Sequence, residues 1–160
     1  MVHRKKVSMP LKGGCQCDKL RFELSAPPLM LYACHCTNCQ KQTGSAFVLS
    51  TAIVENTFSF IEGEPAKVEW TADSETQRYG LYCSDCGGRI CNGQTPSIGV
   101  LSLRAGTFDE KSWVRPAAHI WVKSAQPWIK FEADDLLYDG QPTDYTPIAE
   151  RFRSFGAFSA

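Results

Sequence analysis

Net charge is missing from this 160-residue chain, in which 17 lysines and arginines face 17 aspartates and glutamates. Without a broad basic field, nothing holds nucleic acid or an anionic membrane by electrostatics alone. The one basic cluster, His3-Arg4-Lys5-Lys6, sits at a terminus and reads as a solvated tail. Long apolar runs are missing too. None approaches the ~20 residues of a membrane span, and Met1 to Pro10 shows no apolar stretch behind its charges, so no export signal is read. The expectation is a cytoplasmic protein, where clustered cysteines mean metal or redox chemistry more often than structural disulfides. A convincing long amphipathic helix, an internal repeat and a linker are likewise absent.

What is present is ordinary globular composition, 43% hydrophobic and 21% charged. A chain of this length makes one domain and buries about 68–70% of its unfolded surface, so a core forms without staples. Lys19 to Ser25 alternates strictly, with Leu20, Phe22 and Leu24 on one face and Lys19, Arg21 and Glu23 on the other, which predicts a half-buried strand. Further strands are predicted over 29–33, 46–54, 57–61, 66–70, 77–83, 97–103 and 118–123. They are rich in Val, Ile, Phe and Tyr and are broken by Glu62-Gly63-Glu64-Pro65 and Asp73-Ser74. Short helical turns are expected over 37–42 and 108–113. The reading is a single, mainly β domain over residues 11–131, with an N-terminal tail (1–10). Residues 132–160 are polar and proline-marked, and read as a loosely packed or partner-dependent C-terminal extension.

The chemistry lies in the cysteines. Seven of the eight fall in three groups: Cys15/Cys17, Cys34/Cys36/Cys39 and Cys83/Cys86. A core does not need three thiols within six residues, as in Cys34-His35-Cys36-Thr37-Asn38-Cys39; a soft divalent metal does. Zinc takes thiolates at about 2.3 Å in tetrahedral geometry, and Cys83-Ser84-Asp85-Cys86-Gly87-Gly88 has the spacing of a zinc knuckle. Two short pairs far apart in sequence make a natural closed four-sulfur site. The triplet is then left with an open corner, which separates catalytic from structural zinc. A second partition stays open, in which Cys83/Cys86 complete the triplet and the first pair is idle. Cys91 is either a fourth ligand of the triplet or a small buried hydrophobe, the latter being commoner for a free cysteine. His35 lies between two ligands and is expected to point away from a metal its neighbours face. His119, on a strand, reads first as a satisfied structural residue.

These motifs resemble a known family. Gly14-Cys15-x-Cys17, Cys34-His35-Cys36-x-x-Cys39 with Thr43-Gly44, Tyr82-Cys83-x-x-Cys86-Gly87, and His119-Ile120-Trp121 with Pro127-Trp128 are similar to the glutathione-dependent formaldehyde-activating family, also called CENP-V/GFA. The resemblance runs from about Gly13 to Trp128. It implies a compact domain of tandem β-sheets with zinc knuckles at strand ends. It also implies two zincs per chain, a structural one on Cys15, Cys17, Cys83 and Cys86 and a catalytic one on Cys34, Cys36 and Cys39. Asp18, where the family often has glycine, and Cys91, commonly aromatic there, are departures.

The activity this implies is that of a carbon–sulfur lyase. A thiol, glutathione or similar, adds to formaldehyde or another small aldehyde to give S-hydroxymethylglutathione or an analogue. A free thiol has a pKa near 8.5 and is mostly protonated at neutral pH, whereas coordination to zinc deprotonates it. His35, Ser45, His119 and Trp121 are the candidate substrate-pocket residues. A second reading is a non-enzymatic binding module with two structural zincs and a protein- or nucleic-acid-recognising surface; a fourth protein ligand at the triplet would mark it. The expected partners are a small thiol and an aldehyde, with no nucleic acid and no membrane. The sequence leaves the oligomeric state open, a homodimer included.

Overall fold

The strict alternation around Phe22 builds a small sheet. Leu20, Phe22 and Leu24 are all fully buried, and Arg21–Leu24 forms strand β2. It lies between β1 (Leu11–Gly14) and β5 (Phe58–Glu62), antiparallel to both. The structure, a computed structural model, describes residues 6–159. Of the N-terminal basic cluster, His3, Arg4 and Lys5 therefore lie outside the described residues.

The second sheet carries the remaining strands: β3 (Met30–Cys34), β4 (Val48–Val54), β6 (Ala66–Thr71), β7 (Gln77–Tyr82), β8 (Arg89–Thr95), β9 (Val100–Arg104), β10 (Ala118–Ile120) and β11 (Leu136–Tyr138). Their order across the sheet is β11-β10-β3-β4-β9-β8-β7-β6. Pairing is antiparallel from β3 to β6, while β10 runs parallel to both β3 and β11. The expected mainly β, two-sheet architecture is what the chain adopts. Two α-helices interrupt it, α1 (Thr37–Thr43) directly after β3 and α2 (Thr146–Ser154) near the end. Among the described residues no helix is long and apolar enough to cross a membrane.

A chain of aromatic contacts ties the small sheet to the segment after β9 and to the C-terminal residues. Phe22 meets Phe108 edge-on with ring centroids 5.3 Å apart, Phe108 meets Trp113 at 5.1 Å, and Trp113 meets Phe158 at 5.3 Å. Each ring of this kind stabilises the fold by about 1.5–3 kcal/mol through burial, with a further ~0.5–1.5 kcal/mol from edge-to-face geometry.

The C-terminal residues differ from the expectation of loose packing. Ile148 and Phe152 of α2 are buried in the core, β11 joins the large sheet, and the Val7 N–H donates to the Ala157 carbonyl at 2.9 Å. The reason is that α2 presents only this one i, i+4 apolar pair, too little periodicity to read. A nine-residue helix owes its stability to packing more than to propensity. The helical turn expected over 108–113 is instead a 3₁₀ turn at Ala105–Thr107, because Phe108 is pulled into the aromatic chain. Strand β8 lies outside the strands the sequence predicts. A glycine weakens a strand pattern, yet here a Cβ at Gly93 would lie 2.3 Å from the Tyr79 ring, so the glycine admits that ring across the strand.

Candidate metal centres and the adjoining cleft

Cys15 and Cys17 sit on the turn after β1, and Cys83 and Cys86 on the turn after β7. The four sulfurs lie within 4.8 Å of one another. The Cys15 and Cys17 sulfurs are 3.5 Å apart, those of Cys17 and Cys83 3.7 Å. A tetrahedron with 2.3 Å bonds has edges of ~3.8 Å, so the set fits a zinc ion. Both turns are built for it. The first folds back through the Cys15 N–H to the Leu20 carbonyl at 3.0 Å, and the Leu20 N–H points at the Cys15 sulfur at 3.3 Å. Asp18 takes a left-handed φ of 61° there, which explains why glycine is the comfortable residue; aspartate is among the few others that tolerate it. The second turn closes through Gly87 N–H to Cys83 carbonyl at 2.8 Å. The backbone N–H groups of Gly88 and then Cys17 hold the Cys86 thiol down to about 6. Lys19 and Asp85 bridge the two turns at the surface, 2.8 Å apart.

The triplet is local. Cys34 ends β3, Cys36 is the N-cap of α1 and Cys39 lies in its first turn, with the Cys39 N–H donating to the Cys36 sulfur at 3.3 Å. The three sulfurs also lie within 4.8 Å of one another. Interaction with the Cys34 and Cys39 sulfurs, reinforced by backbone N–H groups, holds the Cys36 thiol far below its usual range. Interaction with the Cys36 and Cys39 sulfurs, and then burial, drives Cys34 strongly upward. One sulfur ionises at the expense of its neighbour. Three thiolates this close need a cation between them, and the donor set suits a thiophilic one. Gln40 ties the helix down, its amide donating to the His35 carbonyl at 2.7 Å and the Ser124 carbonyl at 2.9 Å.

Cys91 belongs to neither group. It is completely buried in β8, and burial pushes its thiol up to about 12.

The two histidines lie behind the triplet. Side chains alternate along a strand, so Cys34 and His35 project to opposite sides, and His119 sits beside Ala33, off the Cys34 face. His35 is fully enclosed, with Nε2 3.0 Å from His119 Nδ1 and its ring against Phe47 and Phe131. Burial first, and His119 second, push it down to about 4. His119 in turn lies 3.8 Å from Asp135. Ser45 is exposed after α1. Trp121 has a left-handed φ of 59°, costly for an aromatic, and its indole N–H donates to Gln141 at 2.9 Å.

The face that does carry Cys34 is polar. Tyr32 pairs with Ser50, Ser50 with Arg104, and Ser102 with Asn92, so all five project alongside Cys34. Next to the triplet this face opens into a cleft of about 390 Å³, bounded by Asn38, Cys39 and Gln42 on one side and Arg89, Asn92 and Arg104 on another. Val68 and Trp70 of β6 form an apolar wall. A second cleft of about 380 Å³ lies beyond Asn92, beside Tyr32, Ser102 and Tyr145. Arg89 and Arg104 escaped the sequence reading because a lone arginine in a strand carries no signal of what it faces.

Residues 10–124 match the sequence profile of a family described as glutathione-dependent formaldehyde-activating enzyme. A Penicillium rubens protein, provisionally named glutathione-dependent formaldehyde-activating enzyme, is 28% identical over 150 residues, covering 91% of this chain and 72% of its own. A crystal structure of a Rhodobacter sphaeroides protein superposes with a TM-score of 0.51 at 12% identity, over 79% of this chain and 98% of that one. At that identity the likeness speaks for the fold alone.

Proposed function

The chain belongs to the glutathione-dependent formaldehyde-activating family, and from that premise we propose that it is a zinc-dependent carbon–sulfur lyase joining a thiol to formaldehyde or another small aldehyde. The observation that carries this reading is the three-sulfur cluster beside an open cleft, which among the described residues no further Cys, His, Asp or Glu completes. The four-sulfur set, already complete, would hold a structural zinc. Zinc on Cys34, Cys36 and Cys39 supplies an exchangeable cationic position that favours a thiolate and polarises a carbonyl oxygen.

The chain's own residues do the positioning. The strand end and the N-cap fix Cys34 and Cys36, and the cleft orients the thiol-bearing molecule with its sulfur toward Cys39. In the reaction the thiol sulfur bonds to the carbonyl carbon, the π pair of the carbonyl moves to oxygen, and the thiol proton ends on that oxygen. Nothing is oxidised or reduced. Three thiolates on a dication leave a net negative charge, which suits thiol capture better than water activation, and Arg104 stands beside the cluster to balance it. A cytoplasmic setting, where thiols stay reduced, belongs to the same proposal.

The uncatalysed reaction is the hazard in testing this, since it can mask a modest enzyme. Exchange spectroscopy by NMR at equilibrium separates the two. Zinc-loaded protein is expected to accelerate exchange between glutathione and its hydroxymethyl adduct, and Cys36→Ser at matched concentration is expected not to. Equal rates for the two proteins, across several thiols and aldehydes, would return the chain to the binding-module reading.

A further inference from the structure

The cleft beside the triplet contains two guanidinium groups, and its one carboxylate, Asp73, pairs with neither. Two other partly buried arginines are paired with acids: Arg21 with Asp109 and Asp18, Arg151 with Asp134. Arg89 and Arg104 differ. Arg89 donates to the neutral Asn92 Oδ1 at 2.7 Å, and Arg104 donates to the neutral Gln42 Oε1. The Arg104 Nε is buried with no partner, and among the described residues neither arginine has an ion pair. A buried charge without a counter-charge is costly, and a guanidinium is shaped to receive a carboxylate through two parallel bonds. A negatively charged triplet accounts for one of the two positive charges; the other remains.

The local build also holds Arg89 in place. Its guanidinium crosses β7 over Gly80, where a Cβ would lie 2.1 Å from Nη1, and it stands 5.7 Å from the Trp70 ring centroid. The cleft is thus cationic along its floor and apolar on the β6 wall. Its one carboxylate, Asp73, is exposed at the β6–β7 hairpin tip, on the outer rim.

We propose that Arg89 and Arg104 form a carboxylate-recognising subsite beside the three-sulfur cluster, which makes this chain selective for acidic thiols over neutral or basic ones. The subsite rests on the lyase reading only for the thiol end of its ligand. The two arginines bind and orient; they take no part in bond making.

The test separates the two claims by using a ligand with no free thiol. S-methylglutathione keeps the carboxylates and offers no thiol, and its dimethyl ester removes the carboxylates as well. Calorimetric titration of the zinc-loaded protein is expected to show S-methylglutathione binding about tenfold or more tighter than the diester, the scale of a lost charge-assisted hydrogen bond. Arg89→Met is expected to abolish that preference, Arg89→Lys to retain part of it, and Gly80→Ala to weaken it by displacing the guanidinium. Because the ester comparison uses the unaltered protein, an arginine variant that fails to fold does not stall the test. Acid and diester binding alike would overturn the subsite, as would a folded Arg89→Met with unchanged preference. S-methylglutathione binding through the arginines, with no acceleration of thiol addition, would sink the lyase reading and leave the subsite standing. Acceleration without carboxylate preference would do the reverse.

Discussion

Cys17 and Cys83 bring their sulfurs together from turns 66 residues apart, on two different sheets, whereas Cys34, Cys36 and Cys39 come from a single strand end and the helix that follows it. The side chain is the same in both clusters and the consequence is different. Cross-linking points 66 residues apart restrains the unfolded chain by roughly 4 kcal/mol on the loop-closure relation, before any metal–ligand energy. The triplet closes almost no loop, so a metal bound there would add little to cohesion. A metal on the long-range set would serve the fold; one on the local set would be left available for the chemistry proposed above.

The largest expected effect breaks the long-range set. Cys83→Ser or Cys15→Ser removes one of the four sulfurs from the complete set and, if that set holds a structural zinc, should cost most of the soluble folded protein, since binding at structural zinc sites is worth roughly 10–16 kcal/mol and is folding energy. Thermal melts beside Cys36→Ser decide it, and equal destabilisation of the two would erase the distinction between the clusters. Next in size is the triplet itself. Cys36→Ser is expected to melt within a few degrees of the parent, to hold one metal fewer and to lose the exchange activity. A smaller effect sharpens the comparison through metal content. Protein grown with added zinc should carry close to two equivalents, and brief chelation should remove one with the far-ultraviolet circular dichroism unchanged. A reproducible value of one or below before chelation would contradict the two-site partition.

The smallest effect measures what else holds the clipped region. Arg21 of β2, close to the Cys15 turn, holds the Asp109 carboxyl below the usual carboxylate range, chiefly through their hydrogen bond. Because the folded-state value is depressed, the pair's contribution is present at neutral pH and is lost as pH falls below about 4, toward the folded-state value. Asp109 is half-exposed, so solvent screening limits the pair to roughly 0.2–1 kcal/mol. Melting Asp109→Asn beside the parent from pH 7 down to pH 3 should show a small gap at neutral pH that closes in acid. A gap of several kcal/mol would assign to this ion pair stability here credited to the sulfurs.

Much of the metal chemistry was legible before any fold was known, because a thiophilic ion demands one residue type at short spacing, and Cys34-x-Cys36-x-x-Cys39 and Cys83-x-x-Cys86 state that demand outright. The strand alternation around Phe22 was legible for a similar reason, period two being local. His35 and His119 illustrate the limit. Both lie in the matching motifs, yet strand parity turns them behind the sheet, where they meet each other and Phe131. Arg89 and Arg104 illustrate the converse, since nothing in their neighbourhoods along the chain hints that they share a cleft with Cys39.

By itself, then, the sequence determined which atoms can take a metal and that the scaffold around them is β. Those properties depend on residues a few positions apart. Only the tertiary structure decided which side of the sheet the triplet faces and which side chains stand beside it. Register across β3, β4, β9 and β8 sets that, and register is fixed by long-range pairing: a slip of one residue would send Arg104 and Asn92 to the other face.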